Sequence, residues 1–319
     1  MLHSVELVDV VRSGFIEGRH RGSLVVLHED GSIAVELGDA RAPIFPRSTN
    51  KPMQAAAMVA CGLDLEDHLL ALSAASHSGE EFHLEGVRTI LTGAGLTETA
   101  LGTPPSLPYG EEVRDEWLRT GRGPSSIAMN CSGKHAAMLA TCVIQGWDQP
   151  SYCQPDHPLQ HAISTLMADQ SDEPVRHVGV DGCGAPVLSS TLVGVARAFR
   201  NHVLADPGQP TRRVADAMRA HPEWVGGTDR DVTELMRGVP GLLAKDGAEA
   251  VYAAALPDGR SVAFKIDDGG MRARPIVMAT VLARLGVRAG VLDEQATAPL
   301  WGGGAVVGEL RASSVLQSL

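Results

Sequence analysis

The chain has 319 residues, of which 44% are hydrophobic, 20% charged and only 4% aromatic, and its formal net charge is −11. This acidic balance excludes a general nucleic-acid binder, which shows a basic face. No apolar run reaches the roughly 18 residues of a membrane helix. The length suits one large domain, residues 1–319, with a core built from Ala, Val and Leu. Five cysteines spread over so long a chain fit reduced thiols better than a disulfide framework. The segment Met1 to Glu6 lacks the basic-then-apolar order of a signal peptide, so a cytoplasmic protein is expected.

Val5 to Arg12 is rich in valine and predicts a strand. A polar group, Glu17 to Gly22, follows Gly14. Ser23–His28 and Ser32–Leu37 flank Asp30-Gly31, a hairpin signal between apolar alternations. The chain then crosses Pro46-Arg47-Ser48-Thr49-Asn50-Lys51-Pro52 into an Ala- and Met-rich helix from Met53 to Cys61. A helix beginning near Ser48 sets Ser48 and Lys51 one turn apart on one face. A lysine with a lowered pKa can activate such a serine, the logic of the S-x-x-K spacing. The plain alternative is an N-cap serine followed by a solvated lysine.

A second helix is predicted over Leu65–Ala75, ending in the polar loop Ser76-His77-Ser78-Gly79-Glu80, and a third over Leu84–Gly95. That loop reads either as functional or as a plain turn with Gly79 as its stop. Residues Gly102 to Gly110 hold three prolines and form an irregular connection. Two further stretches place a cysteine beside a helix start, where a thiol pKa falls. They are Asn130-Cys131-Ser132-Gly133-Lys134-His135, before the helix Ala136–Ile144, and Asp181-Gly182-Cys183-Gly184, before the helix Leu188–Arg200. Residues 205–237 read as helical with a break at Pro222 to Thr228. Strands return at Gly241–Ala244, Ala250–Leu256 and Ser261–Ile266, the last two joined at Asp258-Gly259, and a helix closes over Arg272–Leu285. The simplest assembly pairs the first and last strands in one antiparallel sheet with helices on its faces and a helical region beside it, an α/β sandwich.

Lysine occurs at four positions only, Lys51, Lys134, Lys245 and Lys265, each in a motif-like setting. The Phe45 to Ser48 entry, Ser76 to Glu80, Asn130 to His135, Asp181 to Gly184 and Ala244-Lys245-Asp246-Gly247-Ala248-Glu249 together resemble the asparaginase II family, the rhizobial-type or class 3 L-asparaginases. The similarity runs from about Val5 to Ile276. It implies the fold of serine β-lactamases and serine-dependent glutaminases, with a helical subdomain, and hydrolysis of L-asparagine to L-aspartate and ammonia. Ser48 resembles the family nucleophile, Lys51 its base and Ser76 its second catalytic serine. Lys245 is paired with Ser76, with Lys265 as the alternative. Arg47, His77, Glu80, Asn130 and Arg272 are expected around the substrate, the arginines because a guanidinium can grip its α-carboxylate with two hydrogen bonds.

The resemblance also implies zinc on Cys131, Lys134 and Cys183, with His135 and Asp181 beside the site, and a homodimer. Two thiolates and a nitrogen suit zinc, although a lysine ligand must be neutral. Without the resemblance the two cysteines read as buried structural thiols, as do Cys61, Cys142 and Cys153. Thr103-Pro104-Pro105-Ser106 and the tail from Val287 depart from the family pattern, which leaves asparagine preference less secure than amide hydrolysis. A glutaminase or other serine amidohydrolase of the same fold is the first alternative. A non-catalytic metal- or amino-acid-binding protein is the second.

Overall fold

The structure, a computed structural model, describes residues 3–319. Its strands are β1 (Val5–Arg12), β2 (Phe15–Leu27), β3 (Ile33–Leu37), β4 (Val178–Val180), β5 (Pro186–Leu188), β6 (Leu243–Asp246), β7 (Val251–Ala255), β8 (Ser261–Ile266), β9 (Thr297–Gly302) and β10 (Ala305–Ala312). Eight of them form one antiparallel sheet in the order β6-β7-β8-β2-β1-β10-β9, with β3 also on β2. First and last strands therefore meet, as expected, through β1–β10 and β2–β8. Strand β4 pairs only with β5.

The polar stretch Glu17 to Gly22 lies inside β2 rather than in a loop. Its charges pair across the ladder, Arg19 with Asp9 and Arg21 with Glu6, so this half of the strand stays wet and shows no apolar alternation. The other half, Leu24 to Leu27, is buried at every position, as are all of Val251–Ala255. Unbroken burial along a strand means that both faces of the sheet are covered.

The middle of the chain is helical: α1 (Lys51–Ala60), α2 (Asp67–Ser73), α3 (Glu81–Gly93), α4 (Glu111–Arg119), α5 (Ser132–Gln145), α6 (Pro158–Ser171), α7 (Leu192–Leu204), α8 (Pro210–Ala220), α9 (Pro222–Val225) and α10 (Asp231–Gly238). Helix α7 packs on β7, β8 and β2, and α1 packs against α5, α6 and α8. After the sheet strands come α11 (Arg274–Arg284), α12 (Gly290–Gln295) and α13 (Ser314–Gln317). Of these, α11 touches β1, β7 and β10, and α13 touches β1 and β10. The expected antiparallel sheet flanked by helices, an α/β fold, is what the chain adopts.

Helix α1 sits at the centre of this packing. Nine of its ten residues are buried, including Lys51. A single 3-10 turn, Arg47–Asn50, leads into it, and Pro52 occupies its first turn, where a missing N–H costs nothing. All five cysteines are free thiols. Among the described residues no helix is long and apolar enough to cross a membrane.

Candidate active site

The residues that carry chemistry are brought together where four segments end: the turn before α1, the loop after α2, the start of α5 and the end of β6. The loop after α2 is tied by its backbone. Ser76 N–H donates to Val225 O at 2.9 Å and His77 N–H to Asn130 O at 3.0 Å. Helix α5 approaches α2 closely at Gly133, where an added Cβ would lie 2.6 Å from the Leu72 carbonyl oxygen. Only glycine permits that approach, which carries Cys131 and Lys134 up to the serine loop.

Two lysine amines converge on one serine. Lys51 Nζ donates to Ser76 Oγ at 2.9 Å and Lys245 Nζ donates to the same oxygen at 3.1 Å. Lys51 also donates to the Ala75 carbonyl and to Cys131 Sγ, the latter at 3.0 Å. Both lysines are fully buried, and Ser76 nearly so. Burial, opposed by the Asp246 carboxylate and helped by the Lys51 charge, lowers Lys245 to about 8.

Lys245 is held from behind by a buried ionic network that sequence reasoning missed. Asp246 accepts from Lys245 at 2.7 Å and from Arg230 at 2.6 Å, and forms an ion pair with Arg274 at 3.1 Å. Arg274 is bidentate to Asp231 at 2.9 Å. Burial alone would raise the Asp246 carboxyl, but Lys245, Arg274 and Arg230 hold it well below the usual range. The only sequence signal for this network was the adjacency of Asp246 to Lys245.

Ser48 stands on the turn into α1, half-buried, and its side chain makes no hydrogen bond among the described residues. Arg47 before it has a φ of +54°, a left-handed backbone unusual for a side-chain-bearing residue. Gly247, at the end of β6, closes on this turn: a Cβ there would lie 3.0 Å from Pro46 O and 3.3 Å from Ser48 N. Arg47 itself reaches Asp181, with Nε at 2.9 Å and Nη2 at 2.8 Å from Oδ1.

A thiol pair lies on the other side of Lys51. Cys131 and Cys183 pack together with Ala185, and Lys134 Nζ lies 3.2 Å from Cys183 Sγ. The neighbouring Cys131 thiol, then Lys134 and His135, pull the Cys183 thiol strongly down against its burial. The same contact and burial push Cys131 well up. Of the two thiols, Cys183 is the more acidic. His135 Nδ1 pairs with Tyr152 OH at 2.6 Å, leaving buried Nε2 without a hydrogen-bond partner. Among the described residues no three of His, Cys, Asp and Glu cluster as metal ligands, so any metal here depends on the lysine.

The remaining sequence-chosen residues make no side-chain hydrogen bond to Ser48 or Ser76. Asn130 Oδ1 accepts from Cys131 at 3.1 Å. His77 is buried, 2.9 Å from Ser132 Oγ through Nε2 and stacked on His83 at 5.0 Å. Glu80 accepts from Thr228 N at 2.8 Å and lines a 340 Å³ cavity whose wall includes neither Ser48 nor Ser76. Arg272 lies 3.2 Å from His20 and makes no hydrogen bond to the serine–lysine cluster. Lys265 Nζ donates to the Glu249 carbonyl at 2.9 Å, not to Ser76.

Burial lowers His83 and His202 to about 4, and lowers His77 as well. The folded protein thus rejects protons that the unfolded chain accepts below its ordinary histidine pKa of about 6.5. Stability is fully present above pH 6.5 and falls as the pH drops toward 4, by up to a few kcal/mol per histidine. Denaturant midpoints measured across that window are expected to fall steeply, and His202→Gln is expected to flatten part of the slope. A midpoint independent of pH over this range contradicts the assignment.

The sequence profile of the L-asparaginase II family matches residues 8–312, nearly the whole chain and all five motifs that build this site. The chain belongs to the L-asparaginase II family. As a member it is an amidohydrolase acting on a small-molecule amide. No curated protein matches the asparaginase II chain. Among solved structures, one similar chain is described as EstCE1, a hydrolase with promiscuous acyltransferase activity. It shares 12% identity over 79% of this chain and 91% of that one, at a TM-score of 0.41. Mglu in its native form shares 13% over 84% of this chain and 61% of that one, at 0.38. A Bacillus glutaminase shares 15% over 81% and 90%, at 0.28. At these TM-scores the likeness is loose.

Proposed function

We propose that this asparaginase II family member hydrolyses the side-chain amide of L-asparagine, with Ser48 as nucleophile and Lys51, Ser76 and Lys245 as its proton relay. The observation that carries this reading is the pair of buried lysine amines on one serine hydroxyl, one of them belonging to the helix that Ser48 opens. Lys245, lowered to about 8, is in part a neutral amine near neutral pH and can accept a proton handed on through Ser76, which lets Lys51 act as the base toward Ser48. Lys51 then takes the Ser48 proton as Ser48 Oγ bonds to the amide carbon and the carbonyl electrons move to oxygen. The Ser48 N–H has no backbone partner among the described residues, which suits it to stabilise that oxyanion. Collapse breaks the carbon–nitrogen bond, and the leaving nitrogen takes the Lys51 proton and departs as ammonia. Water, deprotonated by Lys51, attacks the ester carbon; collapse breaks the carbon–Oγ bond, Ser48 Oγ takes the proton back from Lys51, and L-aspartate is released. Arg47 supplies a guanidinium for the α-carboxylate.

A second reading makes Ser76 the nucleophile, favoured by its two lysine contacts where Ser48 has none. Trapping the acyl-enzyme from L-asparagine and sequencing the modified peptide separates them: label on Ser48 supports the first, label on Ser76 the second. L-Glutamine as the better substrate is the alternative on specificity. The family assignment leaves both amides open.

Zinc fits the Cys131, Cys183 and Lys134 set: two buried thiols packed together, with an amine beside them that must lose its proton to ligate. Bound there, it would supply a fixed positive charge next to Lys51 and rigidify the loop ends. About one zinc per chain is expected by elemental analysis. Cys183→Ala is expected to lose it, and a metal-free wild-type protein purified without chelator sinks the zinc reading.

A further inference from the structure

Lys265 is one of four lysines in the chain, yet it takes no part in the relay described above. Its amine instead clamps a strained segment. Glu249 and Ala250, in the 3-10 turn after Gly247, have φ of +56° and +51°. Two consecutive left-handed residues bearing side chains persist only where the surroundings force them. Here the forcing contacts are the Lys265 Nζ donation to Glu249 O at 2.9 Å and the Gly247 N–H donation to Val251 O at 2.8 Å. Of the five side-chain-bearing residues with positive φ among the described residues, three, Arg47, Glu249 and Ala250, meet at this place.

The result is an exposed carboxylate held beside Arg47, the residue before Ser48. Glu249 Oε1 lies 3.8 Å from Arg47 Nη1, too far for a hydrogen bond, and its side chain is 60% exposed. Arg47 already has Asp181 at 2.8 Å as its close partner. The Glu249 carboxylate thus lies in the field of Arg47 and Lys265 yet accepts no hydrogen bond among the described residues, two residues from the glycine that closes on Ser48. A zwitterion fits such a pair: its carboxylate faces Arg47 and its ammonium faces the free acid. We infer that Glu249, aimed by the Lys265 clamp, is the specificity-determining residue that binds the α-ammonium group of an amino-acid substrate. This rests on the amino-acid amidase reading above.

The test is binding of L-aspartate against succinate, which lacks only the ammonium group, by calorimetry on wild type and Glu249→Gln. Wild type is expected to prefer L-aspartate at least about 10-fold, as a hydrogen-bonded charge does. Glu249→Gln is expected to bring the two ligands to within about 3-fold, with succinate affinity little changed. Glu249→Gly relaxes the left-handed strain, so it is expected to melt no lower than wild type and to lose the same preference. A preference that survives both variants overturns the inference, as does a wild type that binds neither ligand. Preference lost as expected in a protein that releases no ammonia from asparagine overturns the amidase reading and leaves the ammonium site standing.

Discussion

Replacing Ser48 by alanine is expected to lower the turnover of L-asparagine by about 10³- to 10⁶-fold, the range seen when a nucleophile is lost from a positioned relay. The side chain makes no hydrogen bond among the described residues and is half-buried, so its removal leaves the packing of α1 untouched and the melting temperature nearly unchanged. Ser76→Ala is the informative companion. It removes the common acceptor of Lys51 and Lys245 and breaks the proton route without removing the attacking oxygen. A smaller loss, about 10²- to 10⁴-fold, is expected there, the size of a general acid–base contribution. Equal losses in both variants are compatible with a unit that acts together. A Ser48→Ala enzyme that retains most of its activity moves the nucleophile to Ser76.

The second large effect is expected at Asp246. This carboxylate touches Lys245, Arg230 and Arg274 and is buried with Lys245 and Arg274. Asp246→Ala leaves two buried cations, Lys245 and Arg274, and the partly buried Arg230 with Asp231 as their remaining acid, at 2.9 Å from Arg274 and 4.0 Å from Arg230. Breaking a buried ion pair from one side costs about 3–5 kcal/mol. That is a large share of the roughly 5–15 kcal/mol that hold a domain folded. Denaturant unfolding checks this. The milder Asp246→Asn separates stability from chemistry. Asp246 favours the ammonium form of Lys245, whose pKa is about 8 against the pull of burial. Without that charge Lys245 loses its proton at lower pH. Activity that needs neutral Lys245 should rise through pH 8 in wild type, and the rise should move to lower pH in Asp246→Asn. A limb that stays in place removes Lys245 from the relay.

Much of the scaffold was legible in the sequence, because several elements carry their own local signals. Val5–Arg12 is valine-rich, Asp30-Gly31 and Asp258-Gly259 mark their hairpins, and Pro52 marks the head of the buried helix. What escaped was set by tertiary context. Strands β9 and β10 complete the sheet on β1, but Pro299, Gly302 and Gly308 read as breakers. Gly308 is required there, since a Cβ would fall 2.0 Å from Val11 O. Helix α4 carries six charges in nine residues and buries only Trp117, so it shows little apolar face. At the site, spacing placed Ser48 and Lys51 on one turn. It could not show that the Lys51 amine turns to Ser76 and Cys131 across the fold, because those partners come 25 and 80 residues later. The ion network behind Lys245 was hidden for the same reason: Arg230 and Arg274 look like surface arginines until the fold buries them.

The most direct measurement is the release of both ammonia and the free amino acid by wild-type protein, with L-asparagine and L-glutamine assayed side by side. Stoichiometric ammonia and L-aspartate, at a higher kcat/KM than for glutamine, is the result this account predicts. Faster turnover of glutamine would keep the serine–lysine amidohydrolase and correct its substrate. No ammonia from either amide would contradict the proposed chemistry itself.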